Sequence, residues 1–141
     1  MAGPLQLEES FFDTVRLEVV PEYVPDSEGR PQQHGVEIHL NLATLDDNPG
    51  MWRVTLDLTD KDVEGATPRY HFRLRIIGFF RWVDGERPEQ DVAQVVAVNG
   101  ASILYSSARE YLLLLSSRTP WGQINLPTMS FTDVVVTPDA Q

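Results

Sequence analysis

The side chains of this chain whose types could move protons or hold a metal are three histidines, His34, His39 and His71, and a scatter of carboxylates. On an alternating strand pattern His39, Asp57 and His71 all fall at polar positions, so they could share one sheet face. Such a face could carry acid-base chemistry or bind a cation, but both need convergence in a pocket that perturbs the groups. The histidine spacing is not that of a metal site, which favours an ordinary solvated face. Asp46, Asp47, Asp60, Asp62 and Glu64 offer the oxygens that calcium takes. They lack the ordered spacing of a calcium loop, and acids at such positions favour turn geometry. No nucleophile elbow, phosphate-cradling loop or dinucleotide glycine pattern occurs. With no cysteine, thiolate metal sites and disulfides are excluded too. The expectation is a chain with no catalytic, cofactor or metal site.

The elements that would position these groups are four segments of period-two alternation, each a strand with one face on a core. Val15, Leu17 and Val19 alternate with Thr14, Arg16 and Glu18; Val36, Ile38, Leu40 and Leu42 alternate with Glu37, His39 and Asn41. Trp52, Val54, Leu56 and Leu58 alternate with Arg53, Thr55 and Asp57; Tyr70, Phe72, Leu74 and Ile76 alternate with His71, Arg73 and Arg75. The turn formers of "DDNPG", residues 46 to 50, predict a hairpin between the second and third strands. Residues 21 to 35 carry three prolines and predict a crossover that returns the chain across the sheet, as in a Greek key. After Gly78 the alternation breaks. A short helical or irregular piece follows, then Asn99 and Gly100 as a cap pair, and then the main helix, which Pro120 and Gly122 stop. Residues 120 to 131 read as extended loop, and "TDVVVTPDAQ" opposes helix.

The main helix is too apolar for one sheet to cover. At about 100° per residue, Ile103, Leu114, Tyr111, Leu104, Leu115, Ala108, Leu112 and Tyr105 sweep roughly 200°, twice the stripe that a surface helix needs. The other arc holds Ser102, Ser106, Arg109, Glu110, Ser116 and Ser117, with Leu113 in its middle. A second partner for the helix is expected, with that arc turned toward another subunit.

Length predicts one domain, residues 1 to 141, with its core in 11 to 131 and tails on either side. The 21 acidic residues against 11 basic give a net charge of -10, which repels phosphate backbones and anionic lipid, so neither nucleic acid nor a membrane surface is an expected partner. Solubility explains the charge, and a protein holding sticky apolar surface in water would also need it. The N-terminus has no secretory pattern, and the apolar block Leu112 to Leu115 is far short of a bilayer span. A soluble cytoplasmic protein is expected.

Residues 103 to 131, "ILYSSAREYLLLLSSRTPWGQINLPTMSF", resemble the SecB protein-export chaperones. Their corresponding stretch runs helix, Ala-Arg-Glu, a Ser-Arg ending, then a loop with Asn-Leu before a proline and a terminal Phe. The matching residues are Ala108, Arg109, Glu110, Ser117, Arg118, Gln123, Asn125, Leu126, Pro127 and Phe131. The four strands, the crossover and the Gly78, Phe79, Phe80 element follow in the family's order, so the likeness spans roughly residues 11 to 131. It implies an α+β fold: a four-stranded antiparallel Greek-key-like sheet with a long helix on one face. The implied assembly is a homotetramer, a dimer of dimers with the helices between subunits. The implied function is non-enzymatic and ATP-independent, with unfolded client polypeptides held in apolar grooves and, in export, passed to the motor SecA. The implied client-binding residues are Tyr23, Val24, Phe79, Phe80, Trp82, Trp121, Ile124, Leu126 and Met129. Because aromatics and methionine fill cores more often than grooves, about half of these are expected to be buried. The arc Ser102, Ser106, Arg109, Glu110, Leu113 and Ser116 becomes the implied subunit interface.

Three departures bear on the partner. No second helix is expected after Phe131. The fourth strand presents His71, Arg73 and Arg75, and the first strand Arg16 and Val20, where the family's SecA-docking face is acidic. Inverting charge at a docking face costs complementarity, which disfavours SecA. Some solitary relatives of the family protect aggregation-prone antitoxins, and a dedicated client of that kind fits at least as well. A non-chaperone adaptor for one folded partner is the alternative, and a small-molecule enzyme or carrier with a pocket beneath Phe79 and Trp82 a third.

Overall fold

Turn chemistry at residues 46 to 50 sets the first hairpin. Asn48 N–H bonds to the Leu45 carbonyl at 3.3 Å, Met51 N–H to the Asn48 carbonyl at 3.1 Å, and Gly50 takes the left-handed φ of 82° that closes the turn. In the computed structural model, which describes residues 3–25, 35–83 and 88–132, this turn joins β2 (Gly35–Thr44) to β3 (Met51–Lys61). The chain continues into β4 (Tyr70–Trp82), and β1 (Leu5–Val19) lies on the far side of β4. The sheet order is β1-β4-β3-β2, with all three pairings antiparallel. The Greek-key return of β1 is as expected; His34 and most of the crossover lie outside the described residues.

Two strands run further than their alternation shows. β1 begins at Leu5, so residues expected as a tail are sheet. Irregularities between Leu7 and Glu9 and between Phe12 and Thr14 break its period, so "LEESFFD" does not alternate. β4 continues through Phe79 and Phe80 to Trp82, past the expected break at Gly78. Its pattern disappears there because Ile77 and Phe79, on the face away from the helix, are apolar as well.

On the other face, Val54, Leu56, Leu58, Tyr70, Phe72, Leu74, Ile76 and Phe80 form the core under α1 (Glu89–Ser116). The helix is continuous through Asn99 and Gly100, where a cap was expected. Asn99 bonds back to the Val95 carbonyl at 3.0 Å instead, and Gly100 is where the helix meets the sheet: a Cβ there would lie 3.1 Å from Val54 Cγ2. At Gly78 in β4 a Cβ would lie 2.8 Å from Phe80 and 2.9 Å from Leu104, so the same crossing needs glycine on both sides. Glu89 and Asp91 in the first turn complement the helix dipole.

The buried line of α1 is a row of fourth residues: Val92, Val96, Gly100, Leu104, Ala108, Leu112 and Ser116. Each step of four gains about 40° on the helix surface, so from Val92 to Ser116 the line winds through roughly 240°. The sheet covers its beginning and cannot follow it round. The end is covered by residues 119 to 131, a strap that runs back along the helix. Ser116 Oγ donates to the Leu112 carbonyl at 2.7 Å and accepts from the Ile124 N–H at 2.7 Å. Tyr105 donates to the Pro127 carbonyl and stacks edge-on to Phe131 at 5.6 Å. Ile124, Leu126 and Phe131 are buried there.

The strap corrects the expected interface. Ser116 is fully buried within the chain, and Arg109 reaches Thr128 of the strap, so neither is simply turned to a partner. Leu113 is half-buried, and Ser102, Ser106 and Glu110 stay at the surface or near it. Conversely Ile103 and Leu114, placed on the sheet side by a straight wheel, are 40% and 63% exposed.

Replacing Ser116 with Ala removes the acceptor of a buried N–H. Ser116→Ala is expected to cost about 1–3 kcal/mol in urea unfolding, with near-normal helix content, because the strap rather than the helix loses its anchor.

Candidate functional site

The sheet face away from α1 is built in rows by strand register. His39, Asp57, Arg75 and Thr14 lie side by side across the four strands, and Glu37, Thr59, Arg73 and Arg16 form the next row. The predicted sharing of one face by His39, Asp57 and His71 therefore has a geometric basis, but each group is already engaged. Asp57 accepts two bonds from the Arg73 guanidinium, at 3.1 and 2.8 Å. That pair holds the Asp57 carboxyl below its ordinary range against the opposing effect of partial burial, with Arg75 and His39 adding to the lowering. A carboxyl so held is ionised at neutral pH and has no proton to give as a general acid. His71 Nδ1 lies 2.8 Å from Asp60, whose other oxygen accepts the Phe72 N–H at 2.8 Å. Among the described residues no group of three or more His, Cys, Asp or Glu could hold a metal ion.

The next two rows have another character. Asn41, Thr55, Ile77 and Phe11 form a row with no charge, and Ala43, Arg53, Phe79 and Glu9 lie beside it. Phe11 and Phe79 are in contact, with ring centroids 6.3 Å apart. A shallow depression of about 390 Å3 lies over Thr55, among His39, Asn41, Arg53, Arg75 and Ile77. Neither Phe11 nor Ile77 could be singled out from sequence, since the bulge hides the alternation of β1 and Ile77 reads as core.

The client-binding candidates do not form one groove. Phe80, Ile124 and Leu126 are fully buried and Tyr23 nearly so; their side chains belong to the core of the isolated chain. Phe79 faces away from the helix because neighbours on a strand alternate, so it cannot share a surface with Phe80. Val24, at 76% exposure, Trp121, Trp82 and Met129 keep accessible surface. Trp82 ends β4, whereas Trp121 packs where that 13-residue strand begins, on the order of 40 Å away.

The junction around Trp121 is built closely. Its Nε1–H donates to the Val20 carbonyl at 3.0 Å, and its ring meets Tyr23 edge-on at 5.4 Å. Arg69 donates to the Trp121 carbonyl at 2.9 Å, and the Tyr70 hydroxyl donates to the Gly122 carbonyl at 2.7 Å. The start of the crossover, the start of β4 and the start of the strap are thus tied together, with Val24 projecting beside them.

Among solved structures, a Mycobacterium tuberculosis SecB-like chaperone in complex with a ChAD peptide from the HigA1 antitoxin matches with a TM-score of 0.67, at 15% identity over 89% of this chain and 91% of that one. The fold is SecB-like. A Streptococcus agalactiae protein of unknown function matches with a TM-score of 0.52 and 13% identity, over 90% of this chain and 99% of that one. No protein-family model and no curated protein matches the sequence. The SecB-like fold accounts for the sheet, the long helix and the expected α+β class. No helix among the described residues is long and apolar enough to cross a membrane.

The ion pair at Asp57 predicts an acid-sensitive term in stability. Its folded pKa lies below the ordinary 3.8, so the stabilisation is complete above that value and disappears as pH falls through the folded pKa. Asp57→Asn is expected to lower the urea midpoint slightly at pH 7, and the deficit is expected to close as pH falls below the ordinary carboxylate range and through the folded pKa; a deficit that stays the same as pH falls would assign Asp57 a role other than its charge.

Proposed function

We propose that this chain is an ATP-independent holdase that binds aggregation-prone polypeptide as a dedicated client and works as a homo-oligomer, without enzymatic activity or a cofactor. One observation carries the reading: the SecB-like fold is shared over nine-tenths of the chain with a chaperone solved in complex with an antitoxin peptide. The surface supports it. Apolar side chains stay in water along the helix side, namely Val24, Met129, Ile103 and Leu114, and a net charge of -10 would keep such a surface soluble.

Assembly finds support at the edge strand. β1 exposes Leu7, Val15 and Val19, set against Phe80, Leu74 and Tyr70 of the helix side, and only its inner edge is paired, to β4. A long apolar edge of this kind is a template for another strand, and bulges alone do not cover it. A second copy placed there would bring Ile103 and Leu114 of α1 toward shelter, answering the excess apolar width of the helix. Export through SecA is left out of the proposal, because Arg73 and Arg75 stand where the family's docking acids would be. A reducing cytoplasm suits a chain without cysteine.

The test uses the full chain with a chemically unfolded model client, following turbidity and solution mass. Stoichiometric suppression of turbidity without nucleotide, from a species at least twice the monomer mass, is the expected result. Val24→Asp should weaken suppression several-fold at unchanged mass, and Val15→Glu combined with Leu114→Asp should shift the mass toward monomer. A monomer without suppression would overturn the reading, and failure of unfolded peptides to compete for a folded partner would point to an adaptor.

A further inference from the structure

The sheet face away from α1 carries a recognition feature that client holding on the helix side does not use. Around the uncharged row of Asn41, Thr55, Ile77 and Phe11 stand three arginines, Arg53, Arg75 and Arg81. Two of them have carboxylates from β1: Arg81 meets Glu8 at 2.8 Å and Arg75 meets Asp13 at 3.7 Å. Elsewhere on the face Arg73 is paired with Asp57 and Arg16 with Glu18. Among the described residues Arg53 alone of these five has no carboxylate partner, although the whole chain has 21 acidic residues against 11 basic. Arg53 lies directly beside Phe79, and Phe79 touches Phe11, which is 42% exposed. A cation with no internal counterion therefore borders an apolar shelf and a depression that opens over Thr55. The remaining charges facing this shelf, Glu9 beyond Phe79 and Asp57 beside the depression, limit how much negative charge an occupant could carry.

We propose that this outer face docks an extended acidic segment of a partner protein, one carboxylate pairing with Arg53 and an aromatic or aliphatic side chain two residues away resting on Phe79, Phe11 and Ile77. Side chains at i and i+2 of an extended chain share a face about 6.5–7 Å apart, which suits the step from Arg53 to its neighbours on the shelf. Guanidinium fits a carboxylate bidentately, and an apolar contact beside it gives the register that charge alone lacks. The occupant is a protein segment because the shelf would leave a free small anion without half of its contacts.

The probe is an acetylated peptide, Asp-Ser-Phe-Ser-Asp-Ser-Phe-Ser, titrated into the uniformly 15N-labelled full chain, with a second peptide carrying Lys in place of Asp. Saturable shifts of the Thr55, Ile77 and Phe79 amides with the acidic peptide, absent with the Lys peptide, are expected. Arg53→Glu should weaken binding at least ten-fold and Arg53→Lys by less, while Phe11→Ser should weaken it without changing the preference for acid. Equal binding of both peptides, indifference to Arg53→Glu, shifts confined to Val24 and Met129, or the same shifts with acetate alone would each overturn the proposal. All four would leave the holdase reading standing, since that reading rests on the other face.

Discussion

A helix with more apolar surface than one sheet can cover is the constraint on which the rest of this structure depends. Its buried residues repeat every fourth position, so the line they form turns steadily away from the sheet. Two solutions act in series. Near Gly100 the helix backbone comes close to Val54, with Gly78 of β4 giving room beneath Leu104. After Ser116 the chain turns back along the helix and supplies Ile124, Leu126 and Phe131 as a second wall. Polar groups inside that wall are matched, as Ser116 and Tyr105 show, and no buried side-chain nitrogen or oxygen lacks a partner among the described residues.

This arrangement explains which parts of the fold could be read from sequence. β2, β3 and the first half of β4 each have one polar face, and period two identifies them. The start of β1 and the end of β4 escape for physical reasons: bulges shift the phase in one, and both faces of the other are apolar. The Asn99-Gly100 pair looks like punctuation because glycine usually breaks helices, whereas here close packing needs the missing Cβ. A wheel at constant angle places Ile103 and Leu114 inside because it treats the buried stripe as straight. The strap reads as loop, and its backbone is loop; nothing local indicates that Ile124 and Leu126 would be as buried as any strand residue.

The candidate surfaces separate along the same lines. Residues brought forward by likeness to the SecB family include several that this fold uses as core, so among them only Val24, Trp121, Trp82 and Met129, with Phe79 on the opposite face, keep accessible surface. The outer face was legible as polar from the alternation of His39, Asp57, Arg73 and Arg75. Its uncharged rows were not, because the register that sets Phe11 against Ile77 follows from bulges that only the folded sheet displays. The molecule thus has two different surfaces: a helix side with apolar side chains left in water, and a sheet side where nearly every charge is answered.

The bond from Trp121 to the Val20 carbonyl joins residues 101 positions apart in the chain. Contacts of such separation form late, since a long loop must close before they gain anything. On a ribosome all four strands and α1 would be made before Trp121, and for that interval the flank of Tyr105, Leu112 and Ser116 would stand uncovered. The nascent protein would then have the kind of apolar exposure that draws chains into aggregates. Closure of the strap marks the moment at which this chain stops resembling a substrate of its own proposed activity.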